Sequence, residues 1–345
     1  MRVLVTGVDG YIGAVLGPML LEQGFDVVGI DCGFYRDGWL YNDARPRPLT
    51  LTKDVRRMDL KDVEGFDAVV HLAELSNDPL GELNEHTTYE INHLGSVALA
   101  RACKQAGVPR FVYSSSCSVY GAAEDGGDRN EQSAPNPQTA YAKCKVLVER
   151  DVSALADTHF SPVFLRNATA FGASPRMRFD IVLNNLAGFA WTTQEIRLTS
   201  DGTPWRPLVH VDDICQVVIL ALEAPREAVH NEIFNVGDDE QNYRIREIAS
   251  IVGQVFEGCA VTFGPPSGDN RSYRTSFAKI RRRLPGFRCR WSAELGARQL
   301  RNVFDRVGMT EETFFFRGFT RLQQLKYLIA TRQIDGDFYW HSQAL

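Results

Sequence analysis

The sequence has no apolar run of about 18 residues, the length a membrane-crossing helix needs. Its opening, MRVLVTG, carries one Arg and then a strand-like pattern. The apolar stretch and small-residue cleavage site of a secretory leader are missing there, so a cytoplasmic protein with no membrane association is expected. Nor is there a CxxC pair. The seven cysteines (Cys32, Cys103, Cys117, Cys144, Cys215, Cys259 and Cys289) are odd in number and scattered, which suits a reducing compartment and gives no zinc signature. No metal is expected. Positive charge is not in excess either. Lys and Arg total 38 against 43 Asp and Glu, a formal net charge of -5, and the densest basic stretch, KIRRRLPGFRCR at 279–290, is short. A general affinity for nucleic acid is therefore not expected. Repeats, low-complexity tracts and obvious linkers are absent as well.

What remains is a globular composition with enough apolar residues for a sizeable core. RVLVTG, DVVGID, DAVVHLA, RFVYSSS and SPVFLRNATAFG read as strands. Between them, GYIGAVLGPMLLEQG reads as a helix closed by Gly24, INHLGSVALARACKQAGV as a helix ended by Gly107, and AYAKCKVLVERDVSALAD as a third. Alternation of helices with unbroken aliphatic strands predicts an α/β fold around a parallel sheet covered on both faces. Beyond about residue 173 the rhythm loosens. RFDIVLNNLAGFAW reads as a helix, EIRLTSDGTPWRPLVHV as a strand pair around a turn, DDICQVVILALEA as a helix opened by an Asp cap, and EIFNVG as a core strand. The division expected is a first domain over 1–172, with returning segments near 206–237, and a smaller lobe formed mainly by 173–345.

VTGVDGYIG places Gly7, Gly10 and Gly13 after the first strand and at the opening of the first helix, with Tyr11 and Ile12 between the last two. Glycine there permits a tight turn and a close backbone approach, and a helix N-terminus offers N–H groups and a positive dipole to a pyrophosphate. Asp31 ends the second strand, where a carboxylate can hold ribose hydroxyls. It would repel a 2′-phosphate, which favours NAD over NADP, while nearby Arg36 keeps the second open.

SSSCSVYG at 114–121 crowds hydroxyls, a thiol and a phenol onto the end of a strand. Tyr141 and Lys145 stand at i and i+4 and so share one helix face. An ammonium beside a phenol is expected to lower the phenol's pKa, and such a tyrosine can exchange a proton with a sugar hydroxyl. By itself YxxxK describes any amphipathic helix; the glycine turn and the serine-rich strand end give it partners.

With TGxxGxxG, MDLKD, VVHLA, INHLGS, YSSSCSVYG, PQTAYAKCK, LRNATAFG, DGTPWRPLVHVDD and FNVG in this order, the chain resembles the extended short-chain dehydrogenase/reductases, in particular their nucleotide-sugar epimerases and dehydratases. The resemblance implies a Rossmann domain that binds NAD, a smaller C-terminal lobe that grips a nucleoside diphosphate-sugar, and a homodimer. Carried over position by position, it makes Ser116, Tyr141 and Lys145 the catalytic set. Lys145 would also hold the nicotinamide ribose. Asp59 and Leu60 would flank adenine, while Leu72, Ala73, Asn92 and Ser114 would lie along the cofactor. Arg206 would bind the substrate diphosphate and Arg271 a second phosphate or a ribose. Cys117, Ser118, Thr169 and Asn184 would face the substrate.

Within the family, elimination or decarboxylation uses an acid directly after the catalytic hydroxyl. Cys117 and Ser118 stand there instead. C4 epimerisation through a transient 4-keto sugar is the leading expectation. An NAD(P)H-dependent 4-ketosugar reductase, or a non-catalytic dinucleotide sensor, are the alternatives. Glu74 occupies a place where a small residue is usual, Thr169 stands where the family has Asn, and FFFRGFTRLQQLKYL near the C-terminus has no counterpart in the family pattern.

Overall fold

The computed structural model describes residues 1–122, 127–266 and 272–341; Arg271 lies outside them. Strands β1 (Arg2–Thr6), β2 (Asp26–Asp31), β3 (Leu49–Thr52), β4 (Ala68–His71), β5 (Arg110–Ser116), β6 (Ser161–Asn167) and β9 (Glu232–Val236) form one seven-stranded sheet. Its order is β9-β6-β5-β4-β1-β2-β3, and every pairing is parallel. The chain runs outward from β1 to β3 and then crosses back to place β4 on the other side of β1. That reversal opens a crevice at the carboxyl ends of β1 and β4, where ligands bind in such sheets.

Helices α1 (Gly13–Glu22), α2 (Ser96–Gln105), α3 (Ala140–Ser153) and α5 (Val211–Glu223) cover the sheet. Side chains alternate along each strand, so Val3 and Val5 join a core with Val15, Leu16, Ile214 and Val217, whereas Leu4 joins Phe111, Val97 and Val148 on the opposite face. The short strand β7 (Thr169–Phe171) leaves the large sheet and pairs with β8 (Trp205–His210). Together with α4 (Val182–Thr193) they build a second core around Phe171, Phe179, Leu186, Phe304 and Phe314.

Three sequence expectations change. Trp205–His210 does not pair with Glu195–Arg197 around a turn; the two strands lie in different sheets. The Asp pair does not cap α5. His210 does so, its ring accepting from the Asp212 N–H, and the acids occupy the first turn, where they complement the helix dipole. Arg178 and Asp180 precede α4 rather than open it, since the helix starts at Val182.

The segment without a family counterpart also finds a place. Helix α6 (Arg321–Ala330) and the turns after it return to the large sheet, where Leu325, Leu328, Ile334 and Phe338 are buried with Leu4 and Phe111.

Candidate active site

The crevice holds a cavity of about 420 Å3 that runs from the glycine turn across the carboxyl ends of β1, β4 and β5 to β8. Gly7 has φ +73°, and a Cβ there would fall 2.8 Å from the Ala73 nitrogen. A Cβ on Gly13 would fall 2.3 Å from the Gly7 carbonyl. Only glycine lets turn and helix approach this closely. No side chain caps the first turn of α1, which leaves that helix end to an anion. Asp31 is held in place at the end of β2, accepting from the Gly33 N–H at 2.8 Å and the Asp9 N–H at 3.1 Å.

The facing wall is cationic. Arg178 donates to Asp180 at 2.8 Å and to Ser76 at 3.1 Å. Arg321, 2% exposed, stacks on the Tyr35 ring at 4.0 Å, and its backbone N–H donates to the same Asp180. The Arg321 Nη1 and Tyr35 Oη atoms are buried without a hydrogen-bond partner. Burial is the main reason the Arg321 pKa falls to about 10; neighbouring Arg178 adds to it. Asp180 pairs with the Arg178 guanidinium and takes only the backbone N–H of Arg321, so the wall carries surplus positive charge and orphaned polar atoms. A diphosphate would satisfy both.

At the other end, Ser116 closes β5, its hydroxyl accepting from the Ser118 N–H at 3.1 Å. Thr139 caps α3 and donates to Asp78 at 2.6 Å. The helix then presents Tyr141 and Lys145 to the cavity. Lys145 forms an ion pair with Glu74, and both side chains are about 5% exposed or less. It also donates to the Ser114 carbonyl. Tyr113 donates to the other Glu74 oxygen at 2.5 Å. Burial lowers the Lys145 pKa, and the charges of Glu74 and Tyr141 more than offset this, so the net direction is upward and the ammonium is retained. For Tyr141 the outcome reverses the sequence expectation. Burial raises its pKa, Lys145 and a hydrogen bond with Ser116 pull it down, and Glu74 pushes it up again, leaving the phenol above its ordinary value.

A model of the NAD dependent epimerase/dehydratase family matches residues 3–237. The chain belongs to that family. A UDP-glucose 4-epimerase of Neisseria gonorrhoeae is 29% identical over 282 residues, which cover 72% of this chain and 80% of that protein. MoeE5 in complex with UDP-glucuronic acid and NAD is similar in structure, with a TM-score of 0.76 and 27% identity over 89% of this chain and 99% of that one. DesIV, a dTDP-glucose 4,6-dehydratase from Streptomyces venezuelae with NAD bound, gives 0.77 and 26% over 91% and 100%.

Most positions carried over from this epimerase/dehydratase pattern meet in the cavity wall. Gly7, Gly10, Tyr11, Ile12, Gly13 and Asp31 line one end; Leu72, Ala73 and Ser114 line the middle; Ser116, Ser118, Tyr141, Lys145, Thr169 and Arg206 line the other. Five do not reach it. Asp59 caps a 3-10 turn in a capping box and Leu60 is 38% exposed. Asp54 and Val55 line the cavity in their place, and the signal was available, since they follow the strand LTLT after a single residue, Lys53. Asn92 spends its amide on the Leu75 backbone, accepting at 2.8 Å and donating at 2.9 Å, so it shapes the loop after β4. Asn184 does the same for Gly172 and Arg178. Cys117 turns away from the cavity and donates to the Arg166 carbonyl at 3.2 Å; burial pushes its thiol up to about 12. Sequence reasoning missed Tyr35, Arg321 and the Tyr113 partner of Glu74. Arg321 lies 141 positions from Asp180, a distance no local pattern spans.

Proposed function

We infer that this protein is an NAD-dependent nucleotide-sugar 4-epimerase. One observation carries the reading: among the described residues, the wall beside Ser116 and Tyr141 offers hydroxyls and no disengaged acid. Cys117 faces away and Ser118 lines the cavity. The carboxylates that do line it are engaged, Asp31 by backbone N–H groups, Asp54 by Arg56, Glu74 by Lys145 and Tyr113, Asp78 by Thr139, and Asp180 by Arg178. A dehydratase would need an acid to expel water. Epimerisation needs only a base that later returns the proton.

The residues fit NAD: the glycine turn and the surplus-positive wall suit its diphosphate, Asp31 a ribose, and Lys145 the second ribose. When bound, NAD would accept the hydride from C4 and give it back to the opposite face. Tyr141 takes the C4 hydroxyl proton as the hydride leaves, and Ser116 holds the same oxygen. The 4-keto sugar turns over within the cavity, and Tyr141 returns the proton once the other face is presented. Arg206, which donates to the Trp205 carbonyl at 2.8 Å and faces the Tyr273 ring, would bind the sugar nucleotide's diphosphate. The two-lobe division, pairing of two copies through α2 and α3, and a cytoplasmic location belong to the same reading; sedimentation of the purified protein checks the pairing.

The test is incubation with UDP-, dTDP-, GDP- and CDP-sugars in deuterated water, followed by NMR. Interconversion at C4 without deuterium incorporation is expected. Deuterium at C3 or C5 would sink the C4 hydride mechanism, and consumption of added NADPH with a ketosugar would make the protein a reductase instead.

A further inference from the structure

Glu74 is the carboxylate nearest the catalytic set, and the epimerase reading gives it no task. Its side chain is 3% exposed. It arrives from the loop after β4, meets the Lys145 ammonium, and accepts from the Tyr113 hydroxyl at 2.5 Å. The ammonium nitrogen lies 4.7 Å from the Tyr113 ring centroid and 5.4 Å from that of Tyr141. An ammonium has three protons. The Ser114 carbonyl takes one, and Glu74 holds the ammonium by charge, which leaves donor capacity for a ligand hydroxyl. A buried lysine without a counter-ion would tend to shed its proton, whereas a paired one keeps it.

We propose that Glu74 is a positioning residue, the built-in counter-ion of Lys145, which aims the ammonium's remaining donor capacity at the ligand and keeps the Tyr141 phenol protonated until substrate and cofactor arrive. This rests on the epimerase reading only in giving Tyr141 the acid/base role. Several groups face Tyr141 from the elements around it: Lys145 from its own helix, Ser116 from β5, Glu74 and Asp78 from the segment after β4, Arg178 from the segment before α4, and the phenols Tyr113 and Tyr273. Of the two carboxylates, Glu74 weighs more on Tyr141 than Asp78.

The experiment uses the full chain with NAD bound and compares wild type with Glu74→Gln, which keeps an acceptor for Tyr113 and removes the charge. Ionisation of Tyr141 is followed by tyrosinate absorbance, with Tyr141→Phe in each background as the blank. The acidic limb of the kcat profile is recorded in parallel. Loss of the negative neighbour favours phenolate, so both should move to lower pH by about 1 to 3 units. No movement in either overturns the proposal. Should Glu74→Gln fold poorly, Glu74→Gln combined with Lys145→Met removes both charges; Tyr141 should then ionise within about one unit of wild type. A double variant in which Tyr141 ionises more than about one unit away from wild type overturns the proposal too. If no sugar nucleotide is turned over at all, the epimerase reading fails, while the absorbance titration still decides the role of Glu74.

Discussion

Two ion pairs are buried at the end of β5, one on each side of the strand, and they are built for different purposes. Helix α3 supplies a member of each, Lys145 and Glu149, one turn apart on the same stripe. Glu149 meets Arg166 in a forked contact at 2.6 and 2.9 Å, accepts from the Ser115 hydroxyl at 2.5 Å, and leaves Arg166 to donate to Tyr120 at 2.9 Å. That pair is closed, lies outside the cavity wall, and ties α3 to β5 and β6. The Lys145–Glu74 pair faces the cavity and keeps ammonium capacity in reserve. Ser115 donates to Glu149 of the closed pair, whereas Ser114 gives its carbonyl to Lys145 of the open one and Ser116 lines the cavity. One serine run therefore serves catalysis and architecture at once.

The contrast fixes what variants should do. Tyr141→Phe leaves both pairs intact and removes the acid/base, so kcat should fall about 10²–10⁴-fold with the melting temperature unchanged, measured by turnover and calorimetry. Arg166→Leu does the opposite. It strands a buried carboxylate, and urea denaturation should show a loss of about 3–5 kcal/mol. Arg321→Met removes charge from the cationic wall, and NAD titration should show affinity down by about 10-fold, as for one charge-assisted hydrogen bond. Binding of adenosine, which has no diphosphate, should not change. His71 gives a third way to bury a titratable group: it is kept neutral. It bonds Thr6 and Ser96 at 2.6 and 2.7 Å, and burial lowers its pKa from 6.5 to about 3. Its folded-state pKa is depressed, so its stabilisation is whole above pH 6.5 and is lost as pH falls toward 3, by up to about 1.4 kcal/mol per pH unit. His71→Asn should flatten that part of the stability profile. Cys117→Ser, on the closed side, should leave turnover within about two-fold, the size of a typical effect away from a reacting centre.

The glycine turn and the pairing of Tyr141 with Lys145 were legible because their signals are local. Gly7, Gly10, Gly13 and Asp31 are set by one βαβ unit, and Tyr141 with Lys145 by one helical turn. The aliphatic runs likewise announced the parallel sheet. What stayed hidden required chain return or competition between charges. The register error at Asp59 arose because three Asp-aliphatic pairs, at 54–55, 59–60 and 62–63, follow β3 and only the nearest lines the crevice. The raised pKa of Tyr141 was unreadable because the spacing shows Lys145 but not the burial that chiefly raises it, nor Glu74 brought in by the loop after β4. Asn92 was misread as a cofactor contact because a π-helical segment at Tyr89–Gly95 precedes α2 and turns its amide to Leu75.

The return of α6 to the large sheet sets an order of events. Synthesis proceeds from the N-terminus, and the strands that carry the glycine turn, Ser116 and Tyr141 can pair as soon as they emerge. Arg321 meets Asp180 and Tyr35 only after the following segment has been made and has travelled back across the first half. Contacts of such sequence separation form late. A ribosome-bound chain would thus own a nearly finished sheet and an unfinished crevice, and the dinucleotide would be captured by a completed polypeptide rather than serve as a template for a growing one.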